Sequence, residues 1–533
     1  MHNMDIREIE KIIDNHHKSH EFLSGSKEQL VYDALATFED LCFGTSLMSV
    51  LNPMMLKLVT DHMDSLNQAL RWIEDSDLPS TENEINTDIT EDRYAKCISF
   101  LTDYAYRYQI ICSGYISFSR NRLDATVDNQ TVTFIPSDSE NNTSWNDIIR
   151  EMNDTNATAL LFESNPIKII KANLQLQESI SIENGYLGYE LSNSAFTIFE
   201  EIAEKQWEIT KTLPDTWMFD EFSILEYKKV WIAITTHCYV HFAGCAKISD
   251  PLIRLKNQLI QIPYLQYIEA ISLLSGVNTD CVKRIIDYIT FDPKRKNGDI
   301  MYQPIIVIKD MVLIAPILFM GSRPERNLLS VVSSRKDRQH SKEVNDLEDL
   351  MVTEIDESIS SKDTLVIIKH KNLNKELPDI DYGIYDSLTN AVLLCEIKWF
   401  MAADSTKEVY AREDEITHGC EQSEAIMAYA MSDRARFMKQ VFNIDNCNDV
   451  ELFCCVVAKN NIRTQNKHVS VININKLKEL LSTRNINSVF HTIRNHEYED
   501  KLPCNAEITM MDVEYAGFTF KLPAIGWDDI QAI

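Results

Sequence analysis

Glycine is scarce in this chain, with 13 in 533 residues, and proline is almost as rare, with 14. Loops that cradle phosphates depend on glycine, because backbone amides must approach the ligand without a Cβ in the way. No GxxxxGK[ST] stretch occurs, so ATP hydrolysis through such a loop is excluded. No serine sits in a GxSxG elbow either. Long apolar runs are missing, and none approaches the roughly 20 residues of a membrane-spanning helix, so no membrane partner is expected. The opening stretch "MHNMDIREIEKIIDNHH" has no basic segment followed by an apolar one. It does not read as a secretory signal, and a cytoplasmic location is the expectation. The twelve cysteines include no CxxC pair and read as reduced thiols rather than a disulfide framework.

Positive charge is also lacking. Lys and Arg number 52 against 81 Asp and Glu, a net charge of −29. That balance disfavours broad binding to a phosphate backbone. It suits a protein partner or self-association through the acidic N-terminal half. One segment departs from it: residues 281–345 carry twelve Lys or Arg against seven Asp or Glu, including "DPKRKNGD" and "SSRKDRQHSK". The same excess also fits an ordinary solvated basic surface.

What is present is an ordinary globular composition, 44% apolar and 25% charged. The length allows two to four domains, and the expected class is a multidomain α/β protein. Residues 1–255 read as mainly helical with a small β insertion. "KEQLVYDALATFEDLCF" and "MMLKLVTDHMDSLNQALRWI" carry apolar residues at helical spacing, while "GYISFSR" and "TVTFIPS" read as strands. In residues 256–335, "YLQYIEAISLLSG" and "DCVKRIIDYIT" predict two helices joined by "VNT". Two strands follow, "PIIVI" and "MVLIAPILF". This is the order of a winged-helix-like element, in which Lys283, Arg284 and Lys294 to Lys296 would face nucleic acid. A structural helical hairpin capped by a β-ribbon fits the same pattern. Residues 336–490 predict the order α-β-β-β-α-β, and residues 491–533 a C-terminal extension.

Within that last unit, "LPDIDYGIYDSLTNAVLLCEIKWF" joins two strand-like runs through a polar loop. A hairpin symmetric about the loop pairs Tyr385 with Val392, Gly383 with Leu394 and Asp381 with Glu396. Asp379 then falls opposite Lys398. Alternation puts Glu396 and Lys398 on one face and Asp379 and Asp381 on one face. Directly opposed carboxylates, with Cβ atoms about 5 Å apart, repel when partly buried. A divalent cation relieves the repulsion. Mg²⁺ suits a site of one or two carboxylates completed by substrate phosphate and water, with Mn²⁺ expected to substitute. A lysine beside such an ion can orient water or neutralise charge on a phosphoryl group. Other acid-x-Lys triplets, such as Glu226-Tyr-Lys228 and Glu499-Asp-Lys501, end no apolar run.

"PDIDYGIY…LLCEIKW" resembles the signature of the PD-(D/E)xK, or restriction-endonuclease-like, nuclease superfamily. The resemblance covers residues 341–474. It implies that Asp381 is the metal-binding aspartate, with Asp379 as the alternative, that Glu396 is the second carboxylate and that Lys398 is the catalytic lysine. It further implies a ligating carbonyl at Ile397, an acidic residue from the first helix (Glu348, with Glu343 as runner-up) and a supporting glutamine, Gln422. The implied activity is Mg²⁺-dependent endonuclease cleavage of DNA, with RNA as a further substrate class. Joined to a helical N-terminal half, it resembles the layout of bacterial anti-phage defence proteins. The competing expectation is a non-catalytic binding or assembly subunit with a degenerate nuclease fold. His237, His241 and Cys245 share a helix face, but Cys245 lies too far along the axis for one ion, so they read as core. His16 and His20 read as a solvated face, and Cys454-Cys455 as core filling.

Overall fold

The computed structural model describes residues 5–49, 55–80, 84–137, 171–174, 176, 179–189, 193–219, 221–295, 298–335, 337–359, 363–373, 376–403, 405–445, 449–460, 468–497 and 506–527. The protein is mixed α/β, with helices arranged around sheets of two, three, four and five strands. None of the helices among the described residues is long and apolar enough to cross a membrane.

The N-terminal region is helical for the reasons its periodicity gives. Helix Ile6–His16 starts at a capping box formed by Asp5 and Glu8. Helices Lys27–Ser49 and Met55–Asp75 contribute Leu35, Phe38, Leu66 and Leu70 to one core. That core does not stop at residue 255. It continues into Ile300, Ile306, Leu313 and Leu318. Glu39 ties the two parts together. Its buried carboxylate accepts the N–H groups of Ile317 at 2.8 Å and Leu318 at 3.2 Å, the open end of helix Pro316–Met320.

Three local expectations are corrected. "GYISFSR" forms the end of helix Arg107–Ser119 and its C-cap, Arg120, and is not a strand. Its aromatic and β-branched residues mimic alternation, but Ile111 and Tyr115, four apart, pack together against the sheet strands at Phe134 and Phe520. "MVLIAPILF" splits into strand Met311–Ile314 and helix Pro316–Met320, because proline at a first helical position starts a helix. The third concerns the C-terminal strands Ala506–Tyr515 and Phe518–Trp527. They join the early hairpin Leu123–Asp128/Thr131–Pro136 in one sheet, with Thr519 paired to Thr131 in parallel. Both helices of the segment after residue 256 form as expected, at Tyr264–Ser275 and Thr279–Tyr288. Gly276 ends the first at φ 67°, a conformation glycine adopts without cost. The hairpin Ile305–Ile308/Met311–Ile314 gains a third strand, Ile260–Pro263.

The C-terminal unit runs α1 (Asp337–Ser358), β1 (Leu365–Lys371), β2 (Ile380–Asp386), β3 (Ala391–Lys398), α2 (Thr406–Ser432), α3 (Arg434–Phe442), β4 (Glu451–Ala458), β5 (Ser470–Asn473), α4 (Ile474–Thr483) and α5 (Ile486–Arg494). The sheet order is β5-β4-β3-β2-β1. β1, β2 and β3 are antiparallel, whereas β3, β4 and β5 are parallel. β3 is central and buried on both faces, which explains its continuous apolar run. Leu393, Cys395 and Ile397 face a core shared with Met351 of α1 and Val489 of α5. Val392 and Leu394 face Ile426 of α2 and Phe437 of α3.

Burial raises the Glu39 carboxyl from 4.5 to about 8, against the lowering effect of the two amides. An acid held above its unfolded value binds its proton more tightly when folded. Its contribution to stability is therefore complete below about pH 4.5 and is lost as pH rises through about 8. Glu39→Gln should flatten this loss in urea unfolding between pH 5 and 8.5. Glu39→Ala, which orphans two amides, should cost about 1–3 kcal/mol.

Candidate active site

The hairpin register is the one the symmetry of the sequence predicts. Val392 pairs with Tyr385 and Leu394 with Gly383, and the paired ladder closes at Cys395 and Tyr382. The next step along each strand brings Asp381 to Glu396. Asp381 accepts the N–H of Ile397 at 2.8 Å. Asp379 is exposed at the strand's entry. Alternation on β3 sends Val392, Leu394, Glu396 and Lys398 to the face under α2. The first two are packed in apolar contact, and the last two carry the charge.

Glu396 is 5% exposed. One carboxylate oxygen takes a hydrogen bond from the Lys398 amine at 2.7 Å. The other, Oε2, is buried without a hydrogen-bond partner among the described residues. Lys398 also donates to Gln422 Oε1 of α2 at 3.0 Å. Glu348 of α1 reaches the same end of β3 and accepts the N–H of Trp399 at 3.3 Å. Glu348, Asp381, Glu396, Lys398 and Gln422 thus converge on one end of the sheet. The Glu343 side chain lies outside the described residues.

The electrostatics follow from this crowding. Burial raises the Glu396 carboxyl to about 7, and the Asp381 charge adds to the shift while Lys398 opposes it. Burial likewise raises Glu348 to about 7, with Lys398 and the Trp399 amide opposing. Asp381 is raised by burial against the Ile397 amide and Lys398. For Lys398, burial works to lower the value, but the surrounding carboxylates outweigh it and the amine is held above its ordinary range. An unpartnered buried oxygen costs about 1–3 kcal/mol, and a cation at Glu396 Oε2 would remove that cost. Asp381, Glu396 and the Ile397 carbonyl offer an all-oxygen donor set of the kind Mg²⁺ takes. Among the described residues no group of three or more His, Cys, Asp or Glu is clustered as a metal site. A site completed by water and phosphate does not need one.

α2 is held over this site by residues from earlier in the chain. Arg122 pairs with the buried Glu413 at 2.5 Å, and Arg326 with Glu408 at 2.5 Å. The Tyr410 hydroxyl donates to Ser117 Oγ at 2.9 Å. The helix approaches β3 so closely that a Cβ at Gly419 would lie 3.0 Å from Lys398 Cε and 3.4 Å from Glu396 Cγ. Sequence reasoning misses Gly419. Its one signal is a glycine inside a helical pattern, which costs about 1 kcal/mol against alanine. Arg412 and His418 are missed too. With Glu348, Lys398, Trp399 and others they line a cavity of about 210 Å³ beside the lysine.

The other candidates are placed elsewhere. His237 and His241 are buried, and both meet the Tyr189 hydroxyl, at 2.8 and 3.2 Å. Burial lowers them to about 3 and about 4. They are neutral core histidines, and Cys245 donates to the Asn257 carbonyl beside them. His16 stacks on Tyr104, and His20 meets the same ring edge-on, so neither is a bare solvated side chain. Cys455 faces Cys395 at 3.9 Å across β3 and β4. In the basic segment, Lys283 is paired with Asp287 and Arg295 with Asp292. Arg284 donates to the Glu221 carbonyl. Lys296 lies outside the described residues.

No protein-family model, curated protein or solved structure matches the chain.

Gly419→Ala gains helix propensity of about 1 kcal/mol while crowding Lys398, so its melting temperature should stay close to wild type. The displaced amine should nonetheless lose the Gln422 contact. The bulkier Gly419→Leu should destabilise by about 1–3 kcal/mol or more. Differential scanning calorimetry of the two variants checks both stabilities.

Proposed function

We propose that the C-terminal unit is a Mg²⁺-dependent nuclease of the PD-(D/E)xK type that hydrolyses DNA phosphodiesters. The observation that carries the reading is the buried, unpartnered oxygen of Glu396 beside Asp381, with Lys398 braced between Glu396 and Gln422. The run of a helix, three antiparallel strands, a helical pair and two parallel strands around one mixed sheet is compatible with it, although α3 adds a helix to the α-β-β-β-α-β order expected from the sequence. The surroundings of the Lys398 amine, which meets a carboxylate oxygen and an amide oxygen, support it.

In this reading Asp381, Glu396 and the Ile397 carbonyl hold the ion. Bound Mg²⁺ supplies Lewis-acid polarisation of the scissile phosphoryl group. Lys398, kept charged by its carboxylate neighbours, orients the attacking water and offsets negative charge that grows on the phosphoryl oxygens. Water oxygen forms the new bond to phosphorus as the bond to the leaving oxygen breaks; the water gives up one proton to solvent, and the leaving oxygen takes one up. Gln422 limits the amine to one direction. Glu348, accepting from Trp399, fixes the exit of β3 and sets the charge around Lys398. The helical pair and hairpin of residues 264–314 read as a winged-helix-like support for the substrate, with Lys294 at its edge. The strongly acidic remainder is the surface for a protein partner or a second copy.

Lys398→Ala should lower cleavage by about 10²–10⁴-fold with little loss of thermal stability, and Asp381→Asn should do the same. Both belong in an assay with single- and double-stranded DNA and RNA, in Mg²⁺, Mn²⁺ or chelator. Cleavage that survives chelation or Lys398→Ala overturns the assignment of a metal-dependent site at Asp381, Glu396 and Lys398. Binding without cleavage in every condition supports the non-catalytic subunit instead. Mg²⁺ should also raise the melting temperature of the wild type, but not of Asp381→Asn.

A further inference from the structure

The cavity next to Lys398 is lined in part by residues that the hydrolytic step does not use, Arg412, Glu415 and His418 among them. It is bounded by Glu348 from α1, by Lys398, Trp399, Phe400 and Met401 from the end of β3, and by Arg412, Glu415 and His418 from α2. Arg412, Glu415, Gly419 and Gln422 follow at spacings of three, four and three, so they form one stripe of the helix directed at the strand end. The two ends of this stripe differ in task. Gln422 and Gly419 touch Lys398. Arg412 stands further along the same stripe and lines the cavity with Lys398.

The guanidinium of Arg412 is fixed but not satisfied. Nη1 donates to Glu415 at 2.7 Å. The group lies over the Phe400 ring at 5.8 Å, within range of a cation–π contact. Its Nε is sealed in without an acceptor among the described residues. A guanidinium carries five N–H donors, and one of them is engaged by Glu415. The planar fork is thereby pre-oriented with donors to spare, which is the arrangement that suits a phosphate. The chamber, about 210 Å³, is smaller than the roughly 300–1,000 Å³ of drug-sized ligand pockets. It admits one unit of a chain and not a base pair.

We propose that this cavity is a substrate subsite in which Arg412 holds a phosphate of the nucleic-acid strand neighbouring the one cleaved beside Lys398. The inference rests on the nuclease reading of Asp381, Glu396 and Lys398. The subsite takes a single phosphate-bearing unit, with Trp399, Phe400 and Met401 as its apolar wall. His418, at the exposed rim, adds a second donor next to Arg412. Glu415 keeps the guanidinium in place when no substrate is bound.

The test is direct binding of a fluorescein-labelled single-stranded DNA oligonucleotide, read by anisotropy across a salt series in Mg²⁺. The full-length Glu396→Gln protein serves as the uncleaving parent. Adding Arg412→Gln should weaken binding about tenfold and reduce the slope of log K against log salt by about 0.7, the loss of one phosphate contact on a single strand. Arg412→Lys should restore the slope, because the charge returns. Glu415→Gln, whose amide oxygen can still accept from Arg412, should weaken binding by clearly less than Arg412→Gln and keep the parent's salt slope. The subsite is overturned if Arg412→Gln matches the parent in affinity and slope. It is equally overturned if Glu415→Gln weakens binding as much as Arg412→Gln, which marks the pair as structural. Should Arg412→Gln not fold, Arg412→Met, which keeps the apolar stem over Phe400 and removes the charge, takes its place under the same criteria. A parent that binds no oligonucleotide overturns the nuclease reading itself, and the subsite with it.

Discussion

Burying a carboxylate and an amine two residues apart at the end of an apolar strand is the constraint around which the C-terminal unit is built. Glu396 and Lys398 share the face of β3 that α2 covers. A charge removed from water there must be paired or bonded. Lys398 meets that demand through Glu396 and Gln422. Glu396 meets only half of it, and Oε2 is left over. The close approach of α2 is eased by the absence of a side chain at position 419. The strand end, the helix and the glycine therefore form one arrangement.

That arrangement reaches beyond its own sheet. The first half of α2 carries Glu408, Tyr410 and Glu413, which meet Arg326, Ser117 and Arg122. The second half carries Gly419 and Gln422. One rigid element thus joins the N-terminal helical region, the middle segment and the charged end of β3. Buried ion pairs of this kind owe much of their effect to the cost of breaking them. They give the N-terminal region a physical hold on the geometry at Lys398. The shared cores tell the same story, since one cluster runs from Phe22 to Leu318 and another from Ala203 to Ile493.

Much of this is legible in the order of residues alone. The symmetric hairpin, the shared face of Glu396 and Lys398 and the helical N-terminal segments all follow from local periodicity. Other features are not. "GYISFSR" satisfies an alternating pattern and a helical one at once, and only its contacts with Phe134 and Phe520 separate them. The pairing of residues 506–527 with residues 123–136 joins opposite ends of the chain. No local pattern encodes a partner nearly four hundred positions away.

The sequence by itself determined which residues could carry chemistry here, because alternation along a strand and symmetry about a loop are local rules. It determined the hairpin register up to Cys395 and Tyr382, which leaves Asp381 near Glu396 at the open end. Only the tertiary structure decided that Gln422 reaches the Lys398 amine directly, and that Arg412 stands beside a cavity. It also decided that Glu396 keeps a buried oxygen free. Those outcomes depend on how far one helix lies from one strand, and that distance is set by packing between segments with no register in common.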